Sequence, residues 1–308
     1  MLVNDDVETI GRFWSNGKAG GSVVSYVLKN LALEYKVRGI TRDVNSPGAQ
    51  ALKKQGVEVV AADLTNRSTI EAALKGVDSV FSLSTIGSNG MGEFEQGKLI
   101  ADSAMKQGVK YIIWSSLPNV GRISQGKLRN VKHFDEKAKV EDYIRGLQIK
   151  SSFISPAFYF QNFTNILKPV PIDGGFGVFN IVKPNAKFPC IDIEHDFGAF
   201  VGAILSSPER LADKKLLASN GLFSFSDISE GLTKASGKSV KYVQIPDETF
   251  KTYFPPAIAD DFLEMFKFYD EYLFGPNTEE WVKNSLNEVQ LESLSAQEYL
   301  KRLHIDLS

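Results

Sequence analysis

The chain has 308 residues, 43% hydrophobic and 23% charged, with a formal net charge of −2, enough for one large domain or one and a half. The near-neutral balance argues against nucleic acid as a direct partner, and the single cysteine, Cys190, leaves no disulfide framework and no cysteine metal site. No apolar run reaches the ~18 residues that span a membrane, and the opening MLVNDDVETI has no apolar signal core, so a cytoplasmic protein is expected, with the nucleus open as a second compartment.

Thr9 to Phe13 stands where a first strand should lie, but TIGRF puts Gly11 and Arg12 where buried parallel strands carry Val or Ile. Asn16 to Lys29 (NGKAGGSVVSYVLK) reads as a glycine-rich turn running into a helix. Gly17, Gly20 and Gly21 come first, then Val23, Val24, Val27 and Leu28 recur at helical spacing. Tyr35 to Thr41 is a second strand, and Ser46-Pro47-Gly48 starts a short helix through Lys54. Val57 to Ala61 is a third strand, Arg67 to Leu74 a helix, and Val77 to Leu83 a fourth strand. Phe94 to Gln107 is helical, Tyr111 to Ser115 a fifth strand, Val131 to Arg145 a helix and Ser151 to Ser155 a sixth strand. This alternation predicts the α/β class and a doubly wound parallel sheet of order 3-2-1-4-5-6 over residues 1–155, with the ligand at the switch point. From 156 to 308 the rhythm changes. Asp196 to Leu205, Phe225 to Ala235, Ile258 to Tyr272 and Glu288 to Arg302 read as helices and Ser239 to Ile245 as a strand, a smaller α/β lobe interleaved with the first.

The candidate site residues sit at the strand ends. A glycine turn at a helix N-terminus lets backbone N–H groups meet a pyrophosphate, where the helix dipole also favours negative charge. The glycine pattern is incomplete, because its first place is Trp14, whose indole would block the nucleotide. Arg42 closes the second strand, where an arginine pairs with a 2′-phosphate and so favours NADP over NAD. Asp63-Leu64 ends the third strand, where an adenine ring commonly rests; a helix N-cap region is the alternative reading. Ser84 and Thr85 end the fourth, where small residues let the backbone pass a cofactor. Short-chain reductases place a serine after the fifth strand, then Tyr-x-x-x-Lys on the next helix. Here Ser115-Ser116 is followed by His133 and Lys137, four apart and so on one helical face. Lys137 is the expected cofactor ligand. His133 is either an acid–base group at neutral pH or a structural histidine in a protein that binds cofactor without turnover. Tyr159, Phe160 and Asn162 leave the sixth strand and could wall a nicotinamide.

Together NGKAGGSVV, VRGITRD, QGKLIADSAMKQGVKYIIWSSLPN, HFDEKAKVEDYIR and SPAFYFQNF resemble the NmrA-like family of atypical short-chain dehydrogenase/reductases, in order over nearly the whole chain. The nearest likeness is to HSCARG-type NADPH sensors, which carry His-Phe-Asp-x-Lys at the reductase tyrosine position. The resemblance implies a Rossmann domain, bound NADP(H) and a regulatory role through a protein partner, in a monomer or homodimer. An NADP-dependent reductase of a small carbonyl or quinone-like substrate, and a degenerate scaffold without cofactor, are the alternatives. By resemblance, Gly17, Lys18, Ala19 and Gly20 take the phosphates, Arg42 the 2′-phosphate, Lys137 the nicotinamide side, and Tyr159 to Asn162 its pocket.

Residues 1–16 depart from that pattern, which has a hydrophobic strand and then Gly-Ala-Thr-Gly. One set of codons for Ile10 to Lys18 (ATT GGC CGT TTT TGG AGC AAC GGG AAA), started one base later, reads Leu-Ala-Val-Phe-Gly-Ala-Thr-Gly. A frame error in this segment is therefore the expectation, and resequencing tests it.

Overall fold

Val- and Ile-bearing segments too short for helices alternate with amphipathic ones, and the computed structural model, which describes residues 7–13, 17–86 and 90–307, follows that alternation. The strands are β1 (Glu8–Phe13), β2 (Tyr35–Thr41), β3 (Glu58–Ala61), β4 (Ser79–Ser82), β5 (Tyr111–Ser115), β6 (Lys150–Pro156), β7 (Phe158–Tyr159), β8 (Val170–Ile172), β9 (Gly175–Asn180), β10 (Phe188–Ile191), β11 (Lys215–Ala218), β12 (Gly221–Phe223) and β13 (Val240–Gln244). The helices are α1 (Lys18–Asn30), α2 (Pro47–Lys54), α3 (Arg67–Leu74), α4 (Glu93–Lys106), α5 (Val120–Ile123), α6 (Lys132–Arg145), α7 (Phe197–Ser206), α8 (Pro208–Leu211), α9 (Phe225–Ser236), α10 (Asp247–Lys251), α11 (Pro256–Tyr272), α12 (Thr278–Val289) and α13 (Ala296–Arg302), with a 3-10 turn at Phe160–Thr164.

Among the described residues one sheet has seven strands in the order β11-β6-β5-β4-β1-β2-β3. The pairs from β6 through to β3 are parallel. The expected order holds, and β11 extends it at the β6 edge. Smaller sheets run β12-β10-β7 and β13-β9-β8. No helix among the described residues is long and apolar enough to cross a membrane.

The chain divides into two compact units. Unit 1 holds residues 1–117, 136–155 and 194–216; unit 2 holds 118–135, 156–193 and 217–308. Unit 1 packs α3, α4 and α6 on the sheet through Leu64, Ile70, Ile100, Trp114, Val140 and Phe153, each at most 2% exposed. Helix α1 lies on α7 at close range because α7 offers two glycines. A Cβ on Gly198 would sit 2.3 Å from the Ser22 carbonyl oxygen, and one on Gly202 would sit 2.0 Å from the Tyr26 ring. Glycine is what lets the two backbones approach. The Gly198 amide also donates to Ser22 Oγ at 2.8 Å. Unit 2 is built on aromatic rings: Phe158, Phe188, Phe225, Phe266 and Tyr269 meet edge-on or tilted at centroid spacings of 5.2 to 6.4 Å.

Two sequence expectations need correction. The single helix expected from Glu288 to Arg302 is two, α12 and α13, broken where Gln290 turns left-handed (φ 54°). Helix α13 then restarts on a capping box, in which Ser295 Oγ accepts from the Glu298 amide and the Glu298 carboxylate from the Ser295 amide. Strand β11 was not expected; Lys214 O accepts from the Phe153 amide at 2.9 Å as the chain enters it.

Candidate functional site

Strand β1 forms despite its composition. It pairs with β2 and β4, and its Arg12 side chain is carried to full burial. Burial pulls the Arg12 pKa down to about 9. Trp14 and the expected obstruction there lie outside the described residues.

Gly17 is the N-cap of α1, extended and exposed, and its carbonyl accepts the first helical bond from Gly21 N at 2.7 Å. No side chain caps this end, and the first turn holds no acidic residue. Ala19 is half-buried and Gly20 is buried. Lys18, half-exposed, pairs with Glu194 at 2.8 Å. Arg42 is exposed directly after β2. Across the register in which Thr41 faces Ala61, Asp63 follows β3. Its carboxylate accepts from the Thr65 amide at 2.9 Å and the Thr65 hydroxyl at 2.8 Å. Those two bonds hold the Asp63 carboxyl below its usual range against burial, and the charge of Arg42 adds to them. Leu64 is core, 2% exposed.

The ends of β4 and β5 meet α4 and α6. Lys137 Nζ donates to Ser84 O at 2.8 Å and to Ser84 Oγ at 2.9 Å, and pairs closely with Glu93. Its three protons are thus all directed at unit 1. Ser84 Oγ in turn donates to Glu93 Oε1 at 3.1 Å. Burial lowers the Lys137 pKa and Glu93 works against that shift. The neighbouring Glu136 accepts from the Glu93 and Phe94 amides at 2.6 and 3.3 Å, so a carboxylate from α6 caps α4, whose own N-cap is Gly92. Thr85 is held by Gln96: its amide donates to Gln96 Oε1 at 3.1 Å, and its carbonyl accepts from Gln96 Nε2 at 2.9 Å. Ser116 Oγ donates to Glu141 Oε2 at 2.5 Å, and Lys215 Nζ lies 2.7 Å from the same carboxylate and 3.3 Å from Ser116 Oγ. Burial would raise the Glu141 carboxyl, but Lys215, Ser116 and Arg145 hold it below its usual range.

His133 and Lys137 share α6, yet the boundary between the units falls after Asp135. Unit 2 holds His133. Its Nδ1 lies 2.5 Å from Asp261 Oδ1, and its ring stacks on Phe262 at 6.2 Å and 25°. Tyr159, Phe160 and Asn162 also belong to unit 2. Burial pushes the Tyr159 phenol up to about 12. Phe160 is fully buried and stacks on Tyr299 at 5.1 Å. The Asn162 carbonyl accepts from the Leu167 amide at 2.9 Å.

Sequence reasoning missed Glu93, Glu136 and Asp261. An acid in the first turn of a helix reads as a complement to the dipole. Only the fold shows that Glu93 faces a lysine and that Asp261 faces a histidine far away in the chain.

The profile of the NmrA-like family matches residues 8–300. The chain is 30% identical over 254 residues to an NmrA-like family domain-containing oxidoreductase, cpsB, of Aspergillus campestris, covering 75% of this chain and 74% of that one. It is 29% identical over 310 residues to an NmrA-like family domain-containing protein of Dictyostelium discoideum, covering 96% and 97%. Its fold superimposes on NmrA, a negative transcriptional regulator crystallised with NADP, with a TM-score of 0.83 at 20% identity over 97% of this chain and 96% of that one. The triphenylmethane reductase of Citrobacter sp., complexed with NADP(H), gives 0.77 at 19% identity over 96% and 99%. With a Rossmann-type sheet in the expected order and a family profile spanning nearly its whole length, the chain belongs to the NmrA-like family.

Proposed function

We propose that the chain binds NADP(H) on unit 1 and acts as a redox-state sensor through a protein partner, in the cytoplasm with the nucleus as a second compartment. One observation carries the binding: α1 opens at Gly17 with no side-chain cap and no acid in its first turn, an end suited to a pyrophosphate. Gly17, Lys18, Ala19 and Gly20 would take the phosphates, Arg42 the 2′-phosphate, and Lys137 the nicotinamide side. Ser84, Thr85, Asp63 and Leu64 end the strands along which such a cofactor would lie. The NADP complexes of the structural neighbours support this choice, and the regulator among them supports the sensing role.

A second reading is an NADP-dependent reductase, to which a bound nicotinamide would supply hydride. It is supported by the oxidoreductase name of a relative and by the His133–Asp261 pair. With the Asp261 carboxylate beside Nδ1, Nε2 is the ring nitrogen that would serve as the acid–base atom.

Calorimetric titration with NADPH and NADH tests the binding. Micromolar NADPH binding is expected, and Arg42→Ala should weaken NADPH by about tenfold or more while leaving NADH unchanged. Absence of binding to either nucleotide overturns the proposal in favour of a scaffold without cofactor. NADPH oxidation over carbonyl and quinone substrates, lost in His133→Ala with nucleotide binding intact, would replace the sensor by the reductase.

A further inference from the structure

Unit 2 encloses a cavity of about 630 Å³, within the roughly 300–1,000 Å³ typical of small-molecule sites. Its walls come from three stretches: 166–172, Phe179 on β9, and 250–262 across α10 and α11. Aromatic rings line the last of these. Phe254 stacks on Phe262 at 4.7 Å and 17°, and Phe250 meets Phe254 at 5.0 Å. Such a wall offers apolar ring edges to an aromatic ligand. The mouth is apolar too. Ile166, Val170 and Tyr253 are 53%, 47% and 55% exposed, half of the large apolar side chains left exposed in the described chain. Single exposed apolar residues need no explanation, but a cluster around one opening marks a binding surface. One cation stands among them: Lys168 is exposed and makes no ion pair among the described residues.

We propose that this cavity binds a flat aromatic molecule carrying one anionic group, with the rings against Phe254 and Phe262 and the anion at Lys168. The site lies within unit 2, and the argument for it does not depend on the unit 1 residues proposed to hold the nucleotide.

Fluorescence titration of the full chain with 1-anilinonaphthalene-8-sulfonate tests it, with circular dichroism confirming that each variant is folded. A single saturable site is expected. Ile166→Asp and Tyr253→Asp, both at exposed positions, should each weaken it by about tenfold or more by placing a carboxylate in the apolar mouth. Lys168→Ala should weaken this probe about threefold and leave the neutral N-phenyl-1-naphthylamine unchanged. Non-saturable binding, or binding indifferent to both aspartate variants, overturns the proposal. So does a concentration-dependent dimer that Ile166→Asp dissolves in a chain without a saturable probe site, which would give the surface to a second copy.

Discussion

Unit 1 holds cations in its interior at three places, and burial lowers the pKa of each. At the junction of β4, α4 and α6, Lys137 sits against Glu93 and two oxygens of Ser84; beyond β5, Lys215 sits against Glu141 and Ser116. In both, burial depresses the amine and a carboxylate acts in the opposite direction. In β1 the guanidinium of Arg12 is buried completely, and burial is what moves its pKa. A protein that keeps a buried charge for a purpose surrounds it with opposite charge and hydrogen bonds. For Lys137 that surrounding is Glu93 with Ser84, and for Lys215 it is Glu141 with Ser116. On the sheet Arg12 stands in register with Gly39 of β2 and Phe81 of β4.

The largest expected effect breaks the comparison at β1. Arg12→Val should remove the pH dependence that this buried guanidinium gives to stability in alkali. The sign carries a pH signature. The folded pKa of Arg12 lies below its unfolded value, so the unfolded chain holds more protons above about pH 9. Wild-type stability should therefore rise relative to Arg12→Val above that pH. Denaturant melts at pH 7 and pH 10 measure this, and an equal change of stability between the two pH values in both proteins would overturn it. The next effect sharpens the other side. Glu93→Gln strips Lys137 of its carboxylate and should cost about 3 kcal/mol, whereas Glu93→Leu with Lys137→Met should recover most of that loss. A double-mutant cycle in urea reads the coupling. The smallest effect concerns acid. The Glu141 carboxyl is held below its ordinary range, so its stabilisation is present above the unfolded pKa and is lost as pH falls through the folded one. Glu141→Gln should cost about 2 kcal/mol at pH 7 and progressively less as the pH falls below 4, as acid unfolding curves would show.

Much of unit 1 was legible in the sequence because each strand there is short, apolar and followed by a helix. That pattern leaves one parallel order to expect, and the weakness of TIGRF was visible for the same reason. Strand β11 was not legible: KLLA is too short to carry a period, and only pairing with β6 makes it a strand. The break between α12 and α13 hid in residues that suit helices on either side of Gln290. In the site, Lys137 and His133 could be found by spacing. Their carboxylate partners could not, because a pairing of distant residues leaves no local trace. Phe160, expected at a pocket wall, is stacked on Tyr299 in the core, a fate that an aromatic run does not distinguish.

The cap that Glu136 places on α4 constrains how this chain can vary in length. Glu136 holds the first amides of α4 while Lys137, the next residue, holds the first side chain. The two grips are set by one rotational phase of α6. Residues gained or lost in the loops between Lys106 and Lys132 leave that phase alone. One residue inserted between Lys137 and the buried Val140 turns Glu136 and Lys137 about 100° relative to the packed face of α6 and releases both grips together. Insertions and deletions in natural variants are therefore expected between these helices and not within the turn that carries Glu136 and Lys137.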